Sequence, residues 1–391
     1  MPEELLTIES LCGGMDLPGW VLDFRHSASA RTVFGSGRLP ELGEEVRRLG
    51  ALRALVVTDL GIVAAGFVQR ACDSLAAAGV AAVVFDEVRE NPTTEDVDRC
   101  VAFARESGVD LIVGLGGGSS LDTAKGCNFL LTNGGAMRDY WGVGKATKPM
   151  LPFVAVPTTS GTGSECQSFA LIADAETHAK MACGDEKCAA AVCLLDPELT
   201  VTMPTAVTAH TGIDAIAHAL ETAVCNKRGE ISSAYSRAAW RLLDAGLGRV
   251  LEDPGDLVAR ARMQLGAAFA GTAIENSMLG IAHSCANPLT AHYGVVHGQA
   301  VGTMLPHAIA FNRGDADAAA VYDSLGGGED LAERVRSHLR ACGMDLSLEA
   351  LGVHEAMIPT LAEEAAGQWT ARFNPVPVDA AALGQVYRAA W

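Results

Sequence analysis

The sequence predicts an α/β domain with a parallel sheet, followed by an all-helical domain. Three observations carry that expectation. Between residues 31 and 204, short apolar runs alternate with amphipathic segments in a βαβα rhythm. Two of the strand ends lead into loops of glycine or of Ser and Thr, and beyond Pro204 the apolar spacing is helical almost throughout. With 391 residues the chain exceeds one ordinary core, and its 49% apolar content supplies two. The expected domains are residues 1–204 and 205–391.

In order, residues 1–30 look irregular apart from a turn signal at Cys12-Gly-Gly, and are expected to pack on the body or on a neighbouring subunit. Residues 31–37 read as a strand and turn, and 39–50 as an amphipathic helix ended by Gly50. A buried strand over 51–59 ends in Asp59, which can accept hydrogen bonds from a ribose diol or, alternatively, cap the next helix. A helix, a strand, a turn at Asn91-Pro92 and another helix follow. The next strand runs into GLGGGSSLDTAKG, where Gly116, Gly117 and Gly118 let backbone approach a ligand and the following helix presents amides to an anion. Pyrophosphate fits there; a tight strand-to-helix connection is the plainer reading. The spelling is neither GxGxxG nor a Walker loop.

The strand before residue 157 opens into PTTSGTGSE, which crowds the hydroxyls of Thr158, Thr159, Thr162 and Ser164 at a second strand end. Such a loop can grip a cofactor from its far side, or simply cap a helix. Residues 169–183 read as a hairpin carrying Lys180, and 189–204 close the α/β half. In the helical half, Gly326-Gly327-Gly328 and Gly343 read as breaks between helices.

A formal charge of −18, with no Lys/Arg block, argues against nucleic acid and anionic membranes as partners. Apolar runs are broken well before the ~18 residues of a membrane span, and residues 1–10 lack the basic and apolar regions of an export signal. Eleven cysteines without a CxxC pair suit reduced thiols, so a cytoplasmic protein is expected. Cys183, Cys188 and Cys193 fit neither zinc nor redox spacing and read as structural.

The chemistry is expected between residues 208 and 306, because six of the ten histidines fall between His210 and His307. Asp214 and His218 stand four apart and share one face of a helix; they can hold a cation or form a structural pair. His283 and His297 follow in apolar context, with Asn287-Pro288 between them as an expected bend that lets the imidazoles converge. Three imidazoles and one carboxylate suit Fe²⁺ or Zn²⁺ rather than Ca²⁺ or Mg²⁺.

Taken together, GLGGGSSLDTAKG, PTTSGTGSE, DPELTVTMP, TGIDAIAHALE and HGQAVGTMLPH, in that order, resemble the iron-containing (group III) alcohol dehydrogenase family, over roughly residues 33–375. The resemblance implies an N-terminal dinucleotide-binding domain, a helical C-terminal metal-binding and substrate domain, and a divalent metal in a cleft between them, Fe²⁺ before Zn²⁺. It implies Asp214, His218, His283 and His297 as ligands, and Asp59 on the adenosine ribose. Gly117, Gly118 and Ser119 would hold the pyrophosphate; Thr158, Thr159 and Thr162 would line the nicotinamide side, with Asp122 and Lys180 near the cofactor. The implied activity is hydride transfer between NAD(H) and an alcohol, aldehyde or ketone, in a homodimer or larger assembly. NAD is expected over NADP, because Asp59 would repel a 2′-phosphate. Maleylacetate reductase and hydroxyacid-oxoacid transhydrogenase activities are alternatives on the same fold; a metallohydrolase and a silent NAD-binding protein are alternatives of other classes. Where many members carry a further histidine four residues after the third ligand, this chain has Asn287, which cannot titrate near neutral pH. His292 is a candidate to assist proton transfer, a surface or packing role being its plainer reading; exchange through water and the cofactor ribose is the alternative. Trp369 falls where family members shape the substrate pocket.

Overall fold

The structure, a computed structural model, describes residues 11–12 and 30–391. The irregular first stretch, with its turn signal at Cys12-Gly-Gly, therefore falls largely outside the described residues. The described chain forms two compact units, one reaching Met203 and one running from Pro204 to Trp391.

In the first unit, β1 (Arg31–Phe34), β2 (Arg53–Val57), β3 (Ala81–Phe85) and β4 (Leu111–Gly116) alternate with helices. A two-residue β5 (Gly142–Val143) precedes β6 (Phe153–Pro157), β7 (Phe169–Ala173), β8 (Lys180–Gly184) and β9 (Val192–Leu195). Six strands form one parallel sheet in the order β1-β9-β6-β4-β2-β3, and the other three form a small sheet, β5-β8-β7. The central strands are apolar without alternation, as expected for a sheet covered on both faces, and every residue of β4 and β6 is buried. The expected hairpin is present as antiparallel β7 and β8. Cys183, Cys188 and Cys193 are buried with their Sγ atoms on backbone carbonyls, consistent with a packing role.

Register fixes where the loops emerge. Val57 of β2 pairs with Gly114 of β4, and Gly116 of β4 pairs with Pro157 of β6. The segments after β2, β4 and β6 thus leave one edge of the sheet side by side. The chain winds outward from β2 to β3 and then returns to β4, so β2 and β4 flank the point where strand order reverses, the usual ligand site in such sheets.

The second unit is helical, with no strand among its described residues. It comprises α6 (Thr205–Val224), α7 (Glu230–Glu252), α8 (Leu257–Glu275), α9 (Ile281–Tyr293), α10 (His297–Asn312), α11 (Ala316–Gly326), α12 (Leu331–Ala341), α13 (Ile358–Ala366) and α14 (Ala380–Ala390). The numbers α1 to α5 belong to Leu42–Arg48, Leu60–Ala64, Phe67–Ala77, Thr94–Ser107 and Gly118–Asn133 of the first unit. Gly327 and Gly343 adopt left-handed conformations just past α11 and α12, as expected of breaks. Pro288 does not end a helix between His283 and His297, because it lies inside α9. The helix continues through the proline although one backbone hydrogen bond is lost, and it packs against α10 and α13. The turn comes instead at Gly294, with φ +65°, and α10 begins at His297. Among the described residues no helix is long and apolar enough to cross a membrane.

Candidate metal centre and cofactor loops

Helix α6 is buried from Ile213 to Val224, so its polar residues must be satisfied by partners inside the unit. Asp214 and His218 lie one turn apart on it. His283 enters from the first turn of α9, and His297 is the first residue of α10. All three imidazoles converge on one oxygen: Asp214 Oδ1 lies 3.2 Å from His283 Nε2, 3.4 Å from His218 Nε2 and 3.7 Å from His297 Nε2. The rings of His218 and His283 stack at 4.9 Å, and that of His297 tilts against His283 at 5.5 Å. Burial pushes the Asp214 carboxyl up, but His218, His283 and His297 outweigh it and hold it well below the usual carboxylate range. Burial likewise disfavours a charged His283, yet the carboxylates of Glu221 and Asp214 lift it to about 9.

The donor set fits a divalent ion. A tetrahedral site with bonds of about 2.1 Å has ligand-to-ligand edges of about 3.4 Å, and the three contacts to Asp214 bracket that value. Asp214, His283 and His297 offer ligand atoms all within 4.8 Å of one another; His218 lies outside that mutual group but reaches the same Asp214 oxygen. The His297 side chain is 35% exposed while the others are nearly buried, so the cluster is reachable from that side.

One sequence expectation changes here. His292 follows His283 by nine residues, about 900° around one helix, which puts it on the opposite face of α9. Its Nε2 sits 2.9 Å from both carboxylate oxygens of Glu364 on α13, away from the metal-candidate cluster. A proton-transfer role for His292 therefore loses its geometric support. Asn287 lies one turn beyond His283 on nearly the same face, and its amide donates to Gln368 Oε1 at 3.1 Å. Ser284 and Thr370 hydroxyls meet at 2.7 Å, so residues on both sides of Trp369 are tied to α9; Trp369 itself is 39% exposed. His210 and His307 stay outside the grouped ligands, and burial together with Arg336 pushes His307 down to about 4. Sequence reasoning missed Glu221, three residues after His218, whose Oε2 lies 2.5 Å from His283 Nδ1. Its signal was a carboxylate in phase with Asp214 and His218 on an apolar helix.

In the first unit the strand-end loops meet. Asp59 caps α2: Oδ1 accepts from the Gly61 and Ile62 amides, while Oδ2 accepts from Ser120 Oγ at the glycine turn, at 3.3 Å. A Cβ on Gly117 would come within 3.1 Å of Thr159, and one on Gly118 within 2.8 Å of Thr162. The turn and the second polar loop are thus in contact, and bulk at either glycine would part them. No side chain caps α5, which leaves its opening amides for an anion. Ser119 Oγ accepts from the Asn91 amide at 3.2 Å.

Beneath the turn, buried Lys125 donates to the Ser164 carbonyl and hydroxyl and to the Gln167 and Phe169 carbonyls, at 2.6–2.9 Å. Ser164 Oγ in turn donates to Asp122 at 2.7 Å. Burial pushes the Asp122 carboxyl up, and Lys125, Ser164 and Lys180 pull it partway back. This network bolts the loop bearing Thr158, Thr159 and Thr162 to α5. Glu165, next to Ser164, is buried, and burial lifts it to about 7 against the pull of its own backbone amide and Lys125.

A carboxyl lifted on folding lowers stability as pH rises. Below an unfolded value of 4.5 both states are protonated; between 4.5 and about 7 only the unfolded chain ionises, and above that a deficit of about 3 kcal/mol is complete. Glu165→Gln should therefore raise the thermal midpoint relative to wild type by a margin that opens between pH 5 and 8. A margin independent of pH would contradict this.

Residues 29–197 match the family described as iron-containing alcohol dehydrogenase, and residues 208–391 match the C-terminal region of the Fe-containing alcohol dehydrogenase family. The NAD-dependent methanol dehydrogenase of Bacillus methanolicus is 35% identical over 281 residues, 72% of this chain and 74% of that protein. Among solved structures, a 1,3-propanediol oxidoreductase superposes with a TM-score of 0.87 at 31% identity, covering 92% of this chain and 97% of the other. Sulfoacetaldehyde reductase from Bifidobacterium kashiwanohense, solved in complex with NAD+, superposes at 0.86 with 26% identity, covering 93% and 97%. With both units matched along nearly their whole length, the chain belongs to the iron-containing alcohol dehydrogenase family.

Proposed function

We infer that this family member is a metal-containing, NAD-dependent alcohol dehydrogenase that moves a hydride between NAD(H) and an alcohol, aldehyde or ketone. The observation that carries the reading is the convergence of three imidazole nitrogens on Asp214 Oδ1 at 3.2–3.7 Å. Asp214, His218, His283 and His297 hold the divalent ion, Fe²⁺ before Zn²⁺. Residues 1–204 serve as the dinucleotide-binding domain and 205–391 as the metal-binding and substrate domain. When bound, the ion supplies Lewis acidity at the substrate oxygen and NAD(H) accepts or gives the hydride.

The chain's own residues then have distinct tasks. Gly117, Gly118 and Ser119 bring backbone to the pyrophosphate. Asp59 would take the ribose hydroxyls at the strand end where its Oδ1 caps the helix and its Oδ2 accepts from Ser120 Oγ, and its charge disfavours a 2′-phosphate. Thr158, Thr159 and Thr162 line the nicotinamide side, held by the Lys125 and Asp122 network, with Lys180 close to Asp122. With Asn287 engaged by Gln368 and His292 by Glu364, neither side chain is placed to exchange the substrate proton, which is left to solvent. The substrate is a small alcohol or aldehyde. A reducing, cytoplasmic setting is supported by eleven free cysteines, and a homodimer or larger assembly by β1 standing at the edge of its sheet.

The test is an alcohol and aldehyde panel with NAD(H) and NADP(H), on metal-stripped protein reloaded separately with Fe²⁺ and Zn²⁺. Turnover with at least one metal is expected, with kcat/KM favouring NAD by at least about tenfold, the factor for about 1.4 kcal/mol of charge repulsion. Inactivity with both metals would overturn the reading; a preference for NADP would overturn the role of Asp59.

A further inference from the structure

Glu221 is nearly inaccessible, yet it lies in the helix face that carries Asp214 and His218. Both of its oxygens are committed to the start of α9. Oε1 accepts the Ala282 amide at 2.7 Å, and Oε2 meets His283 Nδ1 at 2.5 Å. The approach is close enough that a Cβ on Gly280 would come within 3.1 Å of Oε1. Because a carboxylate has only acceptors to offer, the contact to His283 requires a proton on Nδ1. That leaves Nε2, the nitrogen 3.2 Å from Asp214 Oδ1, as the one able to bind a cation.

Resting on the metal-centre reading above, we propose that Glu221 is a positioning residue: it fixes the tautomer and ring orientation of His283 and so sets affinity for the divalent ion without ligating it. The Ala282 contact makes the arrangement specific. A glutamine has one acceptor oxygen and one donor nitrogen, so it cannot accept from the Ala282 amide and from His283 Nδ1 together. Either the backbone contact breaks, or an N–H faces Nδ1 and favours the tautomer whose proton sits on Nε2, where a ligand needs a lone pair.

The experiment measures Zn²⁺ affinity of metal-stripped wild type and Glu221→Gln by competition with a chromophoric chelator at fixed pH, alongside the thermal midpoint of each stripped protein. The expected result is about 10- to 100-fold weaker Zn²⁺ binding in the variant, with a stripped midpoint close to that of wild type. Equal affinities in the two proteins would overturn the proposal. Wild type that binds no stoichiometric Zn²⁺ would instead overturn the metal-centre reading beneath it. A second measurement needs no Glu221 variant: ¹¹³Cd-loaded wild type with ¹⁵N-labelled histidine, its His283 signals assigned by their absence in His283→Gln. Cadmium coupling to His283 Nε2, with Nδ1 protonated, is expected; coupling through Nδ1 would overturn the assignment to Glu221.

Discussion

Asp214→Asn should leave the protein folded but without its stoichiometric divalent ion, and should lower kcat/KM on any alcohol or aldehyde substrate by about 10³-fold. The size follows from what is lost. A Lewis acid is worth several kcal/mol of transition-state stabilisation, and each factor of ten corresponds to about 1.4 kcal/mol. Asp214 is the only anion in the proposed ligand set and touches all three imidazoles. An asparagine of the same shape keeps the packing and removes the charge, leaving a neutral shell that holds a divalent ion poorly. Metal content of the dialysed variant, measured by elemental analysis beside wild type, separates loss of the ion from loss of the fold. Full metal occupancy with unchanged turnover would remove Asp214 from the proposed centre.

How much of this was legible in the sequence depends on the distance over which each feature is encoded. The alternation of periods marked the α/β half and the helical half because each strand or helix writes its own pattern locally. Asp214 and His218 were legible for the same reason, being one helical turn apart. His292 was not, because its direction depends on the phase of α9, and the expected bend at Pro288 hid the fact that His283 and His292 share one helix. Glu221 was invisible as a partner of His283 because 62 positions separate them. Asp59 posed a choice between two roles, and the structure shows the helix cap at Oδ1, while Oδ2 accepts from Ser120 Oγ. Local pattern finds the elements; which side chains meet across them is set by helix phase and packing.

Gly298 shows how narrow that packing is, and Gly298→Ala should weaken metal binding although it touches no ligand atom. A Cβ at this position would lie 2.2 Å from the backbone carbonyl oxygen of His210 and 2.9 Å from its Cα. Those are backbone atoms of α6, so no rotamer change can clear them; α10 must move away from α6 by about an ångström or more. Overpacking of this kind destabilises a core by about 1–3 kcal/mol. The displacement falls on the residue next to His297, which is also the most exposed of the four proposed ligands and sits at the very start of its helix. His297 Nε2 already makes the longest of the three contacts to Asp214, 3.7 Å, so it has the least margin before leaving the shell. The expected result is a lower thermal midpoint together with at least about tenfold weaker Zn²⁺ binding, a larger loss than His297 exposure alone would produce. Serine at the same position should behave like alanine, since both carry the offending Cβ. If either variant binds Zn²⁺ as tightly as wild type, the close approach of α10 to α6 is not what holds His297 in place.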